Sequence, residues 1–394
     1  MRFILFYSEI DSFNFAADEL EREFRLRGHE VFILDLKNPP VEDSHSYLYF
    51  TQFMARKVDA VVCFDGLGCR EDLFIEIWNA SGAVVIDILM DPPFRFHPTL
   101  ENHPARYFLF CCDLEHVEYV KKYFGHSVSY VAFMPHVGVM PAQETPVVPY
   151  ADRKYGVLFT GTYYRYQDKL LEIERMFPKG SDMYRVYQQM FDNLIHNSDL
   201  STEKALLYTL EQFGWSVPEE TLKTMFRCAE SIDWAIRTYQ RERVITVLAE
   251  SGQELYLLGK GWENYQGLHY PNVHRVDGWV TYGQTLSVTA NAKISLNVMP
   301  WFKAGTHDRI FNALLQHSLP LTDPSTWLTD HFTDGVDIAL YDLKELERLP
   351  GIIGRWLEDE DGAEALVQRG FEKVRRFLTW GDCVEQILET VHAL

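Results

Sequence analysis

The chain has 394 residues, 47% hydrophobic and 24% charged, with 37 Lys and Arg against 57 Asp and Glu for a formal charge of −20. This length predicts two or three domains with substantial cores. The acidity argues against non-specific nucleic-acid binding, which needs clustered cations, but leaves room for a small anionic ligand held in one local cationic pocket.

Residues 1 to 140 alternate short apolar runs with helical patterns. Arg2 to Tyr7 reads as a strand, Phe15 to Arg27 as a helix closed by basic residues and Gly28, and His29 to Leu36 as the next strand. Asp59 to Phe64, Val84 to Met90 and Tyr107 to Cys111 read as further buried strands, with helices at Glu71 to Ala80 and Leu114 to Phe124. Such alternation predicts a parallel sheet with helices on both faces. The opening strand pattern lacks a charged and apolar leader, and no apolar stretch reaches ~18 residues, so neither a signal peptide nor a membrane helix is expected. Cys63, Cys69, Cys111, Cys112, Cys228 and Cys383 form no CxxC pair, and no His pair completes a zinc pattern. They read as reduced, buried thiols of a cytoplasmic protein.

The strand Val84 to Met90 delivers Asp91-Pro92-Pro93, followed by His97. Asp91 or His97 at a strand end can serve as general base on an acceptor hydroxyl, and an Asp capping a turn gives the same pattern. Asp11 and His136 are weaker candidates of the same kind. Pro141, Pro146 and Pro149 mark 141–153 as a linker. The second domain, 154–378, opens with the strand Tyr155 to Thr160 and the turn Gly161-Thr162. Residues 166–250 show almost pure helical patterning and read as a helical insertion. Strands resume at Glu254 to Leu258, which ends in Gly259-Lys260-Gly261-Trp262, and at Val273 to Val276, which ends in Asp277-Gly278-Trp279. Ile294 to Val298, Leu319 to Thr322 and Ile338 to Tyr341 follow. Helices are expected near Lys344 to Trp356, Ala363 to Leu378 and Gly381 to Leu394.

The most informative stretch is Ile294 to Pro300, the loop Trp301 to Gly305, and Thr306-His307-Asp308-Arg309-Ile310-Phe311-Asn312. A strand, a glycine-containing loop and a capped helix with a cation in its first turn form an anion site at a strand's carboxyl end. Thr306 or His307 can cap the helix, and Arg309 can pair with a diphosphate. Lys260 can add a second cation beside the turns Gly161-Thr162 and Gly259-Lys260-Gly261. The same spacing also suits a surface arginine and plain tight turns, and neither GxGxxG nor GxxxxGK[ST] occurs. Tyr163, Tyr164, Tyr166, Trp262, Trp279, Tyr282 and Trp301 gather near these loops, where aromatic faces stack on sugars and bases or anchor the core.

The run Ile294 to Asp323, with Phe332 to Asp337 and Phe377-Leu378-Thr379-Trp380, resembles glycosyltransferases of the GT-B type. The group it resembles most is the bacterial CgeB/YkvP-like "glycosyl transferases group 1" proteins, over residues 255–390. The resemblance implies an α/β protein of two Rossmann-like domains facing a cleft: 1–140 for the acceptor and 154–378, with its helical insertion, for a nucleotide-diphosphate sugar. A final helix, 379–394, would return to the first domain. It implies sugar transfer to an acceptor hydroxyl with no cofactor beyond the nucleotide sugar and no metal. Gly161, Thr162, Lys260, Gly305, Thr306, Asp308 and Arg309 would hold diphosphate and sugar, with His307 acting at the sugar. Asn312 stands where related chains often carry a ribose-binding Glu, and Trp279 and Tyr282 would meet the nucleoside. Expected partners are the nucleotide sugar and a glycan, protein or small-molecule acceptor, with no nucleic acid and no membrane segment. The helical stretch would shape acceptor access or a homo-oligomer contact. A sugar-nucleotide epimerase and a non-catalytic binding or assembly protein of the same fold are the alternatives.

Overall fold

The computed structural model describes residues 1–39, 45–142, 146–276, 278 and 280–393. The chain forms two compact units, one of 1–137, 281–283 and 377–394, the other of 138–280 and 284–376.

In the first unit β1 (Arg2–Tyr7), α1 (Asp11–Leu26), β2 (Glu30–Asp35), α2 (His45–Met54), β3 (Ala60–Phe64), α3 (Asp72–Ser81), β4 (Val84–Leu89), α4 (His97–Glu101), β5 (Tyr107–Cys111), α5 (Leu114–Phe124) and β6 (Tyr130–Phe133) follow in order. The sheet is parallel throughout, ordered β2-β1-β3-β4-β5-β6. Strands β3, β4 and β5 are buried along their whole length, as their continuous apolar runs require. Helix α1 presents Ala16, Ala17, Leu20 and Phe24 to the core. Helix α5 is capped by the Asp113 carboxylate, which accepts from Glu115 N at 2.7 Å, and ends in Lys121 and Lys122, which suit the helix dipole.

The second unit runs β7 (Tyr155–Thr160), α6 (Tyr166–Met176), α7 (Asp182–His196), α8 (Thr202–Gln212), α9 (Glu219–Cys228), α10 (Glu230–Glu250), β8 (Leu255–Leu258), β9 (Val273–Arg275), α11 (Tyr282–Ala290), β10 (Ala292–Leu296), α12 (Asp308–Leu315), β11 (Leu319–Thr322), α13 (Thr326–His331), β12 (Ala339–Leu340), α14 (Leu349–Glu358) and α15 (Glu360–Phe377). Its sheet, also parallel, is ordered β9-β8-β7-β10-β11-β12. Val157, Phe159, Leu257, Ile294, Leu296 and Leu321 of the sheet pack with Val244, Ile245 and Leu248 of α10 in one core. Helix α10 is thus the crossover from β7 to β8, and α6 to α9 are built onto it. The Ser231 hydroxyl donates to Glu172 (2.8 Å) and the Thr202 hydroxyl to Asp233 (2.7 Å).

The second half of the linker belongs to this unit. The Tyr150 hydroxyl donates to Trp356 O at 3.0 Å, and the Arg153 guanidinium reaches Val148 O and Ala292 O. The final helix α16 (Trp380–His392) groups with the first unit. Its start is a capping box of Thr379 and Asp382, Gln386 donates to Phe133 O at 2.9 Å, and Glu385 pairs with Arg27 at 3.3 Å.

Candidate functional site

In the second sheet β7 and β10 are neighbours, yet the chain leaves β7 toward β8 and leaves β10 toward β11. The loops after such a pair diverge, and the crevice at their carboxyl ends is where open α/β sheets bind ligands. Gly161-Thr162 follows β7 here, and Asn297 to His307 follows β10.

The two glycine turns form one corner. Gly161 N donates to Leu258 O at 2.8 Å and Tyr163 N to Lys260 O at 2.9 Å. The Trp262 indole N–H donates to Gly161 O at 2.8 Å. Gly259 (φ +140°) is obligatory, since a Cβ there would stand 2.2 Å from Gly161 O. Tyr163 stacks on Trp262 at 4.9 Å and both are buried, so these two aromatics anchor the corner. Lys260 is exposed. Beside the corner lies a cavity of about 450 Å³ lined by Tyr163, Tyr164, Arg165, Asp168, Asn264 and Gln266.

The loop after β10 is stapled to the end of β11. Asn297 Nδ2 donates to Thr322 Oγ1 (2.9 Å), Met299 N to Asp323 Oδ1 (2.7 Å) and the Ser325 hydroxyl to Gly305 O (2.6 Å). Burial pushes the Asp323 carboxyl up to about 6, against the opposing pull of Lys303 and of the Met299 N–H. Thr306 is fully buried, and His307 is the residue that caps α12. His307 Nδ1 accepts from Arg309 N at 3.3 Å, the bond that caps the helix, and lies 2.5 Å from Asp308 Oδ1.

Arg309 reaches back from α12 to the β7 corner. A Cβ built on Gly161 would meet its Nη2 at 3.1 Å and its Cζ at 3.4 Å. The structure thus brings Gly161, Thr162, Lys260, Gly305, Thr306, His307, Asp308 and Arg309 to the adjoining loops of one sheet edge. Asn312 is buried and its Oδ1 accepts from Val139 N at 2.9 Å, while Nδ2 lies 3.4 Å from Asp308 Oδ2. Its amide is therefore engaged within the protein. Trp279 lies outside the described residues. Tyr282, expected beside a nucleoside in the second domain, groups with the first unit instead. Its N donates to Asp11 Oδ2 at 2.5 Å and its ring packs on Phe15.

Two arginines escaped the sequence reading. Arg237 and Arg241 of α10 place their guanidinium carbons 4.3 and 4.9 Å from the centre of the Trp301 ring, against whose edge His307 also packs. Arg237 pairs with Asp233 at 2.9 Å, with both side chains almost wholly buried. Burying a cation costs several kcal/mol unless partners repay it, so two buried arginines on one indole mark this loop as built around charge. Asp233, Arg237 and Arg241 recur every four residues on a helix that feeds a strand, which is the signal that finds them.

In the first unit Asp91 stands at the end of β4 and pairs with Arg95 at 3.2 Å. Asp65, at the end of β3, holds Met90 N at 2.8 Å from a left-handed backbone (φ +51°). Burial, and then the nearby Asp91 charge, push the Asp65 carboxyl well up. The sequence reading passed over Asp65, although an Asp-Gly after a strand is a usable signal. His97, expected as an acceptor base, is instead a core residue. It is 1% exposed, and its Nε2 lies 2.7 Å from the Tyr119 hydroxyl on which the ring stacks.

Residues 237–389 match the family described as glycosyl transferase-like. No curated protein matches the sequence. Among solved structures, sucrose-phosphate synthase from Thermosynechococcus elongatus is similar over 100% of this chain and 98% of its own, at 10% identity and TM-score 0.53. An alpha-glucosyltransferase solved with UDP and a 13-mer DNA is similar over 100% of both chains, at 10% identity and TM-score 0.57. The Anabaena protein HepE, solved with UDP-glucose, also matches over 100% of both chains, at 10% identity and TM-score 0.51. At these identities the likeness is one of fold. The chain has a GT-B-type fold of two Rossmann-like domains, and its residues 237–389 match the glycosyl transferase-like family.

Proposed function

We propose that the chain transfers a glycosyl group from a nucleoside-diphosphate sugar to an acceptor hydroxyl, with the donor's diphosphate at the β7–β10 corner. The observation that carries this is the Arg309 guanidinium lying against the Gly161 backbone, beside the N-terminus of α12, at the sheet's switch point. That arrangement sets a forked donor and the amides of a helix N-terminus on the same spot. The family match over 237–389 covers α12 and its flanking strands, and HepE was solved with a donor of this class.

In the reaction the bond from the sugar's anomeric carbon to the β-phosphate oxygen breaks and a bond to the acceptor oxygen forms. Charge grows on the leaving diphosphate, where Arg309, Lys260 and the α12 amides stabilise it. His307 and Asp308, whose side chains lie 2.5 Å apart, orient the sugar. In a reaction that inverts the anomeric centre, Asp91 takes the proton of the acceptor hydroxyl, with Arg95 holding its carboxylate in place. With protein cations at the leaving group, this reading asks for no added Mg²⁺ or Mn²⁺.

A screen of nucleotide sugars for hydrolysis tests the reading without the acceptor. Release of nucleoside diphosphate from one donor class, lost in Arg309→Ala, is expected. An epimerised nucleotide sugar with no transfer or hydrolysis product favours the epimerase alternative. Failure to bind any nucleoside diphosphate removes the donor site.

A further inference from the structure

Cys63, Cys69 and Asp87 each bring one ligand atom to within 4.8 Å of the others. Cys63 is on β3, Cys69 lies in the loop after β3, and Asp87 is on the neighbouring strand β4. All three are at most 1% exposed. The two sulfurs stand 3.5 Å apart. Two thiolates on one tetrahedral zinc, with bonds of ~2.3 Å, stand ~3.8 Å apart, so the pair is almost set for a shared cation. A disulfide would instead have to close to ~2.05 Å.

The carboxylate is oriented as a metal ligand's would be. Asp87 Oδ1 accepts from Gly66 N at 3.0 Å and Oδ2 from the Tyr107 hydroxyl at 2.7 Å, and the Cys63 thiol also hydrogen-bonds to the carboxylate, through a proton that a cation would displace. Among the described residues no Lys or Arg forms an ion pair with it, and it is fully buried, so a bound cation would offset the cost of burying its charge. Thiolate ligands select a borderline-soft ion such as Zn²⁺ over Mg²⁺ or Ca²⁺.

We propose that Cys63, Cys69 and Asp87 form a zinc site that clasps the loop after β3 onto β4. A water or the second Asp87 oxygen completes the coordination. Zn²⁺ displaces one proton from each thiol: two thiols, one carboxylate and Zn²⁺ give a bis-thiolate carboxylate complex and two protons, so the site's net charge stays at −1. The clasped loop carries Asp65, which holds Met90 N next to Asp91, so the metal steadies the carboxyl edge of the first sheet. A ligand set drawn from two strands and the loop between them, with six residues from Cys63 to Cys69, fits no zinc motif, and a motif search passes over it. The site shares no residue with the nucleotide-binding corner and is tested apart from it.

The test titrates the full chain, reduced and freed of metal by a chelator, with Zn²⁺, and with Co²⁺ as its spectroscopic stand-in. Expected are about one metal ion per chain, a thiolate-to-Co²⁺ charge-transfer band and proton release on Zn²⁺ uptake. Cys69→Ser and Asp87→Asn should abolish uptake, Tyr107→Phe should weaken it ~10–100-fold, and Cys228→Ser should leave it unchanged. No uptake by the native chain, a Co²⁺ spectrum without the thiolate band, or undiminished uptake by Cys69→Ser would overturn the proposal. The native spectrum decides even where a variant fails to fold.

Discussion

The guanidinium of Arg309 lies across the backbone of Gly161, so that a Cβ on that glycine would stand 3.1 Å from Nη2 and 3.4 Å from Cζ. The absence of a side chain at the end of β7 lets a cation from α12 sit at the switch point of the sheet.

Two glycine substitutions at this corner should therefore part company. Gly161→Ala strains a backbone at φ +152° but otherwise meets the far end of the Arg309 side chain and the Phe159 ring rather than backbone, so turnover should fall ~10-fold or more with a smaller loss of melting temperature. Gly259→Ala drives a Cβ to 2.2 Å from a backbone oxygen and should mainly lower the melting temperature. Equal thermal losses in the two variants would show that the corner's sterics are misread.

Trp301 carries two buried guanidiniums on its ring. Each cation–π contact is worth ~0.5–2 kcal/mol. Trp301→Leu should therefore lower unfolding free energy and raise KM for the nucleotide sugar together, as seen in denaturant unfolding and initial rates. An unchanged KM would detach the arginine pair from the donor site.

The buried Asp323 carboxyl gives a pH signature. Its folded value is raised to about 6 from 3.8, so between those values the folded state holds a proton that the unfolded chain has released. Stability from this group is full below about pH 4 and is lost as the pH rises through about 6, an effect of roughly 3 kcal/mol by the ~1.4 kcal/mol per unit rule. Asp323→Asn keeps the oxygen that receives Met299 N and should flatten the stability profile between pH 4 and 7, measured by denaturant unfolding. A slope identical to that of the native chain would contradict this.

Asp91→Asn should lower transfer ~10²–10⁴-fold while nucleotide binding, which the proposed function assigns to the other unit, stays the same. Loss of both in parallel would mean that the substitution acts on folding.

Much of the architecture was legible because buried parallel strands are written as continuous apolar runs. Ala60–Phe64 and Tyr107–Cys111 show such runs end to end. Two elements of the first unit left weaker traces. Helix α2 buries no residue completely and packs with Phe50 and Phe53 against Phe32 of the edge strand, so it has no clean apolar stripe. Strand β6 is four residues long, at the other edge, and nowhere fully buried. Helix α1 begins at Asp11, earlier than its apolar pattern suggests, because a first turn can be polar. Spacing brought His307, Asp308 and Arg309 into view, since they lie within one turn. It could not reveal that Arg309 rests on a glycine well over a hundred residues away, that Arg241 shares an indole with Arg237, or that the Tyr119 hydroxyl holds His97 in the core. Those facts depend on strand order and side-chain packing, which no local pattern encodes.

The most direct measurement is nucleoside-diphosphate affinity, with UDP, GDP, ADP and dTDP titrated calorimetrically into the native chain and into Arg309→Ala. The account predicts that one or more of these binds the native chain and that Arg309→Ala weakens this binding at least ~10-fold, a loss of ~1.4 kcal/mol, while its fold remains intact by circular dichroism. Equal affinity in the two proteins would contradict the placement of the diphosphate at the Gly161–Arg309 corner.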